Sequence, residues 1–313
     1  MITSTSDMPV TNFSQDKDSL YIPLPKEFSF QEVLLYLSRS SIEILHYLEG
    51  EKVYKLLHVE EQMILLEISQ KDDDTLQIRF VDKKPSSKHA KIYVVQYICE
   101  WLDLDTELHQ FYDLVKNDKI LGTLITRYHG LRIVGIPDLF ESLCWAVIGQ
   151  QINLTFAYTL KRRFVENFGR SYEWNNRSHW IFPEPSQLSD QSIQQLRQLQ
   201  FTQRKAEYIV GIAKEIVNGN LLKKTMIKDL QKAEQQLLAI RGVGPWTAHY
   251  AMMRCFRNPS AFPIGDVGLH NALKHLLLRD EKPKLDEIKK IFMPWKNWEA
   301  YAVFYLWRSL EDV

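Results

Sequence analysis

Two stretches of this chain carry residue types at a spacing that could do chemistry. Residues 237–248 read LLAIRGVGPWTA: an apolar helical run to Ile240, two glycines bracketing Val243, then Pro245 and a second helical run. Glycines at 242 and 244 admit positive φ and let another backbone approach closely. Pro245 suits the first turn of a helix, where its missing N–H would lack a partner anyway. The amides around Gly244 and the start of the second helix then point outward together, an anion site that fits a DNA phosphate. A G-V-G turn by itself would also serve as a plain connection in a helical bundle. The second stretch, residues 261–269, reads AFPIGDVGL and puts Asp266 20 residues beyond Trp246. Pro263 and Gly265 make it a loop, and Asp266 precedes a helix expected over 267–278. Local sequence alone makes Asp266 an N-cap. A lone carboxylate beside a phosphate-binding turn would also repel DNA without compensation unless it takes part in chemistry.

The elements that must position these residues fall into two classes. From residue 90 onward the apolar residues recur with a helical period. Helices are expected over 138–150, over 154–168 with Gly169 as the residue after the stop, over 204–217 before Gly219, and over 230–240, 246–256, 267–278 and 298–310. Ser189 caps another that carries Ile193, Leu196 and Leu199. The first third reads as mixed α/β. Ser29 and Glu32 have the S-x-x-E form of a capping box, and strand-like runs follow at 51–59, 62–68 and 75–81. In the last run Leu76, Ile78 and Phe80 alternate with Gln77 and Arg79, the period of a half-buried strand. The expected class is α+β: an N-terminal mixed domain over 1–105 with a small antiparallel sheet, then an all-helical region over 106–313.

Composition narrows the partners. Of 313 residues 45% are hydrophobic, and 39 basic side chains balance 39 acidic ones. The balance is uneven along the chain: residues 1–148 carry 15 basic and 23 acidic side chains, residues 149–258 carry 16 and 8, and the remainder 8 of each. A basic middle segment suits a polyanion-binding face. No apolar run approaches the ~18–20 residues that span a bilayer, and residues 1–7 carry no secretory pattern. A cytoplasmic protein without membrane contact is expected. Cys99, Cys144 and Cys255 are odd in number and far apart, which excludes a disulfide framework, a four-cysteine zinc site and an all-cysteine iron–sulfur cluster.

The hairpin followed by Asp266 resembles the helix-hairpin-helix DNA glycosylase superfamily, and within it the 3-methyladenine DNA glycosylase II group. Residues 140–152 (FESLCWAVIGQQI), 199–209 (LQFTQRKAEYI) and 298–307 (WEAYAVFYLW) resemble that group too. The likeness covers roughly 130–313 well and 20–90 loosely. It implies a two-lobed core, with a central lobe over about 137–258, a second lobe from about 106–136 plus 259–313, and a cleft between them. Asp266 is then the catalytic carboxylate, and Trp246, Tyr250 and Trp307 line the pocket for the base. At helical spacing, aromatic residues also suit plain core. Gly242, Val243, Gly244 and Thr247 would meet the DNA backbone. Gln150 and Gln151 lie in the loop that enters the duplex, Gln151 being the plug by position, unless it is an ordinary polar loop residue. Arg204 and Lys205 suit a solvated helix face better than phosphate contact, and Trp145, Trp295 and Trp298 suit the core.

The resemblance also constrains the reaction. Bifunctional relatives carry a lysine where this chain has Trp246, so the implied chemistry is monofunctional hydrolysis of an N-glycosidic bond in alkylated purines of the 3-methyladenine or 7-methylguanine type. No organic cofactor or iron–sulfur cluster is implied; the resemblance implies a monovalent cation site at the hairpin, through backbone carbonyls around Leu238, Ile240 and Val243, which leave no signature in the sequence. The partner is double-stranded DNA with a damaged base, met by a bacterial monomer. A glycosylase for oxidised or deaminated bases and a non-catalytic DNA-binding protein are the alternatives.

Overall fold

The computed structural model describes residues 12–312; residues 1–7, whose sequence carries no secretory pattern, lie outside the described residues. The N-terminal part is a six-stranded sheet in the order β1-β2-β6-β5-β4-β3. Its strands are β1 (Ser14–Gln15), β2 (Ser19–Pro23), β3 (Tyr47–Glu49), β4 (Lys52–Val59), β5 (Gln62–Asp72) and β6 (Thr75–Phe80). Every pairing is antiparallel. Side-chain alternation decides its faces. Val53, Leu57, Ile64, Leu66, Ile68, Leu76 and Ile78 point into the main core, while Tyr54, Leu56 and Leu65 form a small cluster on the opposite face. Glu67 and Arg79, opposite each other in register, pair across that second face at 2.6 Å.

Between β2 and β3 runs α1 (Phe30–Ser38), capped as expected by Ser29, whose Oγ accepts from Glu32 N at 3.2 Å. Then follow α2 (Lys88–Trp101), α3 (Leu108–Val115), α4 (Leu121–Arg127), α5 (Leu139–Gly149) and α6 (Leu154–Phe168). The chain departs from the all-helical expectation at β7 (Arg170–Trp174) and β8 (Arg177–Ile181), an antiparallel hairpin. Asn175 and Asn176 at its tip have φ of 50° and 57°, the conformation of a two-residue primed turn, which favours asparagine. The hairpin lays Tyr172, Trp174 and Ile181 over the second face of the sheet, with Trp174 stacked on Tyr54 at 5.7 Å. Gly169 is not the left-handed stop expected of a C′ glycine. A Cβ there would lie 2.5 Å from the Ile181 carbonyl and 2.6 Å from that of Val165, so close approach of β8 is what demands glycine.

The remaining helices are α7 (Asp190–Gln198), α8 (Gln203–Val217), α9 (Lys223–Met226), α10 (Leu230–Leu238), α11 (Pro245–Arg254), α12 (Val267–Leu276), α13 (Leu285–Phe292) and α14 (Glu299–Ser309). One apolar cluster runs from Leu20 in β2 to Leu306 in α14, so sheet and helices share a core. Polar ties cross the same seam. Arg308 of α14 pairs with Glu32 of α1 at 2.7 Å, and Lys161 of α6 pairs with Glu43 at 2.9 Å. Arg39 donates from Nε to the Tyr158 hydroxyl at 2.6 Å. No helix among the described residues is long and apolar enough to cross a membrane.

Candidate active site

The turn between α10 and α11 is built by glycines with different jobs. Gly242 has φ of +92°, and a Cβ there would fall 2.2 Å from the Tyr208 ring. Backbone sign and space both demand glycine. Gly244 has φ of −88° and ψ of 179°, which any residue adopts. Of the two glycines that admit positive φ, Gly242 alone adopts it. The Gly244 side is open, with nothing within 4 Å of a built Cβ, and both Gly244 and Pro245 are exposed. As N-cap of α11 it offers no side chain to the first amides of that helix, which have no intrahelical partner. An anion can approach them unobstructed. Val243 is buried beneath the turn. Thr247 is 2% exposed and faces inward, so its hydroxyl does not present itself to a backbone outside.

The hydroxyl of Thr247 instead accepts from Gln150 Nε2 at 3.0 Å, and the same amide donates to the Gly242 carbonyl at 3.0 Å. Gln150 thus ties the loop after α5 to the hairpin. Gln151 is exposed, with φ of 56°, at the tip of that loop. The two glutamines that the sequence groups together have separate fates.

Asp266 is the N-cap of α12, with Oδ1 accepting from Leu269 N at 2.8 Å. Two indoles converge on the same carboxylate. Trp307 Nε1 donates to Oδ1 at 2.7 Å, and Trp246 Nε1 to Oδ2 at 3.0 Å. A carboxylate has about four acceptor sites, so one direction on Oδ2 stays open. Capping and convergence are therefore compatible: the cap holds the carboxylate and the indoles orient it. Gly268 packs tightly beneath this arrangement, since a Cβ would lie 3.0 Å from Asp266 Oδ1 and 3.1 Å from the Trp307 ring. The preceding loop is pinned from two sides. His249 Nδ1 accepts from Phe262 N at 3.2 Å, and His270 Nε2 donates to the Ile264 carbonyl at 2.8 Å.

Tyr250 lies between the indoles, its ring 5.5 Å from Trp246 and 6.3 Å from Trp307. It is 6% exposed, so it backs the aromatic wall. Its hydroxyl accepts from Trp145 Nε1 at 2.9 Å and Arg254 Nη1 at 2.8 Å, and burial pushes its pKa up to about 12. Trp145, read from sequence as core, is buried and also part of this support. Arg254 was missed altogether; as the last residue of an apolar helix its charge gave no sign of facing inward. Trp295 is core, donating to Asp118 at 3.0 Å, and Trp298 packs on Phe111. Arg204 is exposed, as a solvated face requires. Lys205 is not: it is 8% exposed and donates to the Ile148 carbonyl at 2.7 Å. All three cysteines are buried and in no disulfide. Among the described residues no group of three His, Cys, Asp or Glu could hold a metal ion.

Residues 144–297 match the family model described as HhH-GPD superfamily base excision DNA repair protein, and residues 22–143 match that of the 8-oxoguanine DNA glycosylase N-terminal domain. The chain is 43% identical to a DNA-3-methyladenine glycosylase of Bacillus subtilis over 295 residues, which are 94% of this chain and 97% of that protein. It is 27% identical to DNA-3-methyladenine glycosylase 2 of Escherichia coli, over 64% of this chain and 70% of the other. The fold resembles a solved 3-methyladenine DNA-glycosylase from Archaeoglobus fulgidus with a TM-score of 0.79 at 21% identity, covering 92% of this chain and 97% of that one. With an 8-oxoguanine glycosylase/lyase of Clostridium acetobutylicum in complex with double-stranded DNA, the TM-score is 0.74 at 17% identity, covering 97% and 99%. The chain belongs to the HhH-GPD superfamily of base excision DNA repair proteins.

Proposed function

We propose that the chain is a monofunctional DNA glycosylase that extrudes alkylated purines from duplex DNA and hydrolyses their N-glycosidic bond, leaving an abasic site. The observation that carries this reading is Asp266, fixed at the start of α12 by two indole N–H groups with one acceptor direction free. An N-alkylated purine is cationic, so its leaving group needs no proton. The C1′–N bond breaks with its electron pair passing to the base, which departs neutral, and the sugar becomes oxocarbenium-like. The Asp266 carboxylate stabilises that charge. Water then bonds to C1′ and gives its proton to solvent. Trp246 and Trp307 stack on the electron-poor ring, at ~0.5–2 kcal/mol per face, and Tyr250 backs them. That modest figure selects electron-poor bases broadly rather than one lesion.

The outward amides at Gly244 would take a DNA phosphate and fix register without reading sequence. Gln151 at the loop tip would fill the gap left by the extruded nucleotide. For a monovalent cation, the carbonyls of Leu238, Ile240 and Val243 are the candidates. The Ile240 carbonyl accepts the Val243 N–H at 3.0 Å and keeps a lone pair for such an ion, which would offset phosphate charge. An indole at position 246 has no amine to attack C1′, which favours hydrolysis over a Schiff-base lyase route. One observation favours a second reading: the first third matches the N-terminal domain of 8-oxoguanine glycosylases, which points to oxidised purines. A duplex panel carrying 3-methyladenine, 7-methylguanine, hypoxanthine or 8-oxoguanine separates the two. Release of the methylpurines without strand cleavage, and without adduct trapping by borohydride, is expected. Release of 8-oxoguanine alone, or a trapped adduct, would overturn the first reading.

A further inference from the structure

We infer that Lys205, through the end of α5, is a positioning residue for the loop that enters the duplex. The inference rests on Gln151 being the plug, as proposed above. The last carbonyls of any helix lack intrahelical donors and carry the negative end of its dipole. At the end of α5 one of them, Ile148, accepts the Lys205 ammonium at 2.7 Å, immediately before Gly149, Gln150 and Gln151. Lys205 reaches it from the first turn of α8, where its own amide is capped by Thr202. No carboxylate accounts for this lysine. Its pKa is pushed down by burial, with no opposing charge. A buried ammonium without an anionic partner is costly. The partner it does have is the negative end of α5, so its charge is matched to that helix terminus.

The loop is held from its other side by Gln150, bonded to the Gly242 carbonyl and to Thr247. Immediately after these anchors Gln151 is exposed in a left-handed conformation, one that non-glycine residues rarely adopt and that persists where neighbours impose it. Extruding a nucleotide costs the energy of unstacking and unpairing it, and a plug transmits that load to its base. Lys205 and Gln150 make the base rigid: one fixes the helix that enters the loop, the other fixes the loop to the phosphate-binding turn.

The test compares wild type, Lys205→Met, Lys205→Arg and Gln151→Ala on one lesion placed either in a matched pair or opposite a mismatch, where extrusion costs less. Lys205→Met is expected to lose roughly 10-fold or more on the matched pair, with most activity kept on the mismatch, unchanged melting temperature and partial rescue in Lys205→Arg. Equal loss on both duplexes, or no loss on either, would overturn the role of Lys205. If Gln151→Ala keeps full activity on the matched pair, the plug reading itself fails, and the two failures are told apart because Gln151→Ala touches neither anchor.

Discussion

At the scale of single residues, the site turns on what surrounds one carboxylate. Asp266 receives a backbone N–H and two indole N–H groups, and together they fix the plane and direction of its carboxylate. That fits the proposed task of facing a positive charge that develops at a set position. The indoles are held in turn, because an N–H aimed at a carboxylate fixes the plane of its ring. Trp246 and Trp307 thus owe their orientation to the residue they flank. Gly268 shows how closely the parts fit, since even a methyl group there would press on both Asp266 and Trp307. Asparagine at 266 would keep an oxygen for the cap and one indole but present an N–H to the other, so it removes the charge and disturbs one wall.

At the scale of elements, the hairpin makes a prediction that separates its two glycines. Gly242→Ala meets both a left-handed backbone and the Tyr208 ring, so the turn must distort. Gly244→Ala has ordinary φ and open space and disturbs only what approaches from outside. We expect Gly242→Ala to lower melting temperature and to weaken binding to duplex DNA carrying an abasic analogue. Gly244→Ala should leave melting temperature within about 1 °C and weaken binding alone, by roughly 10-fold. Equal melting losses for both would contradict this division. The hairpin, the helix ends and the position of Asp266 were legible in sequence because each rests on local chemistry: glycine, proline, a capping aspartate. Three features were not legible to the same reading. The strands β7 and β8 lie within a region of helical period, which masks the short hairpin signal of Asn175-Asn176 between alternating aromatics. The inward turn of Gln150, Thr247 and Lys205 depends on partners far away in sequence, which periodicity does not carry. The difference between Gly242 and Gly244 depends on where Tyr208 lies, and the spacing of the two glycines gives no sign of it.

At the scale of the molecule, the N-terminal sheet and the helical part behave as one body because their core is continuous and charged groups are buried across the seam. His46 reports on that seam. Its Nε2 donates to the Leu37 carbonyl at 3.0 Å, and burial brings its pKa down to about 4; Lys55 and Lys161 press the same way and Glu43 opposes them. Unfolded, the imidazole titrates near 6.5. Between those values the unfolded chain binds more protons, so this group's contribution to stability is complete above about pH 6.5 and is lost as pH falls toward 4. Melting curves of wild type and His46→Gln should therefore diverge less at pH 4.5 than at pH 7.5 if the substitution destabilises, with the acid-side slope of the wild type reduced in the variant. Identical pH slopes would show that His46 does not titrate on unfolding. The basic stretch 149–258 adds a second whole-molecule expectation, that DNA affinity falls steeply with salt.

In the proposed reaction Asp266 supplies charge to the transition state of base release and is dispensable for binding. The decisive measurement is of free methylpurines released from dimethyl-sulfate-treated duplex DNA by wild type and Asp266→Asn, alongside their affinities for the same duplex. Wild type should release them and Asp266→Asn should do so at least ~100-fold more slowly, a loss typical of removing one preorganised electrostatic group, with affinities within a few-fold of each other. Release by Asp266→Asn at near wild-type rate would contradict that role.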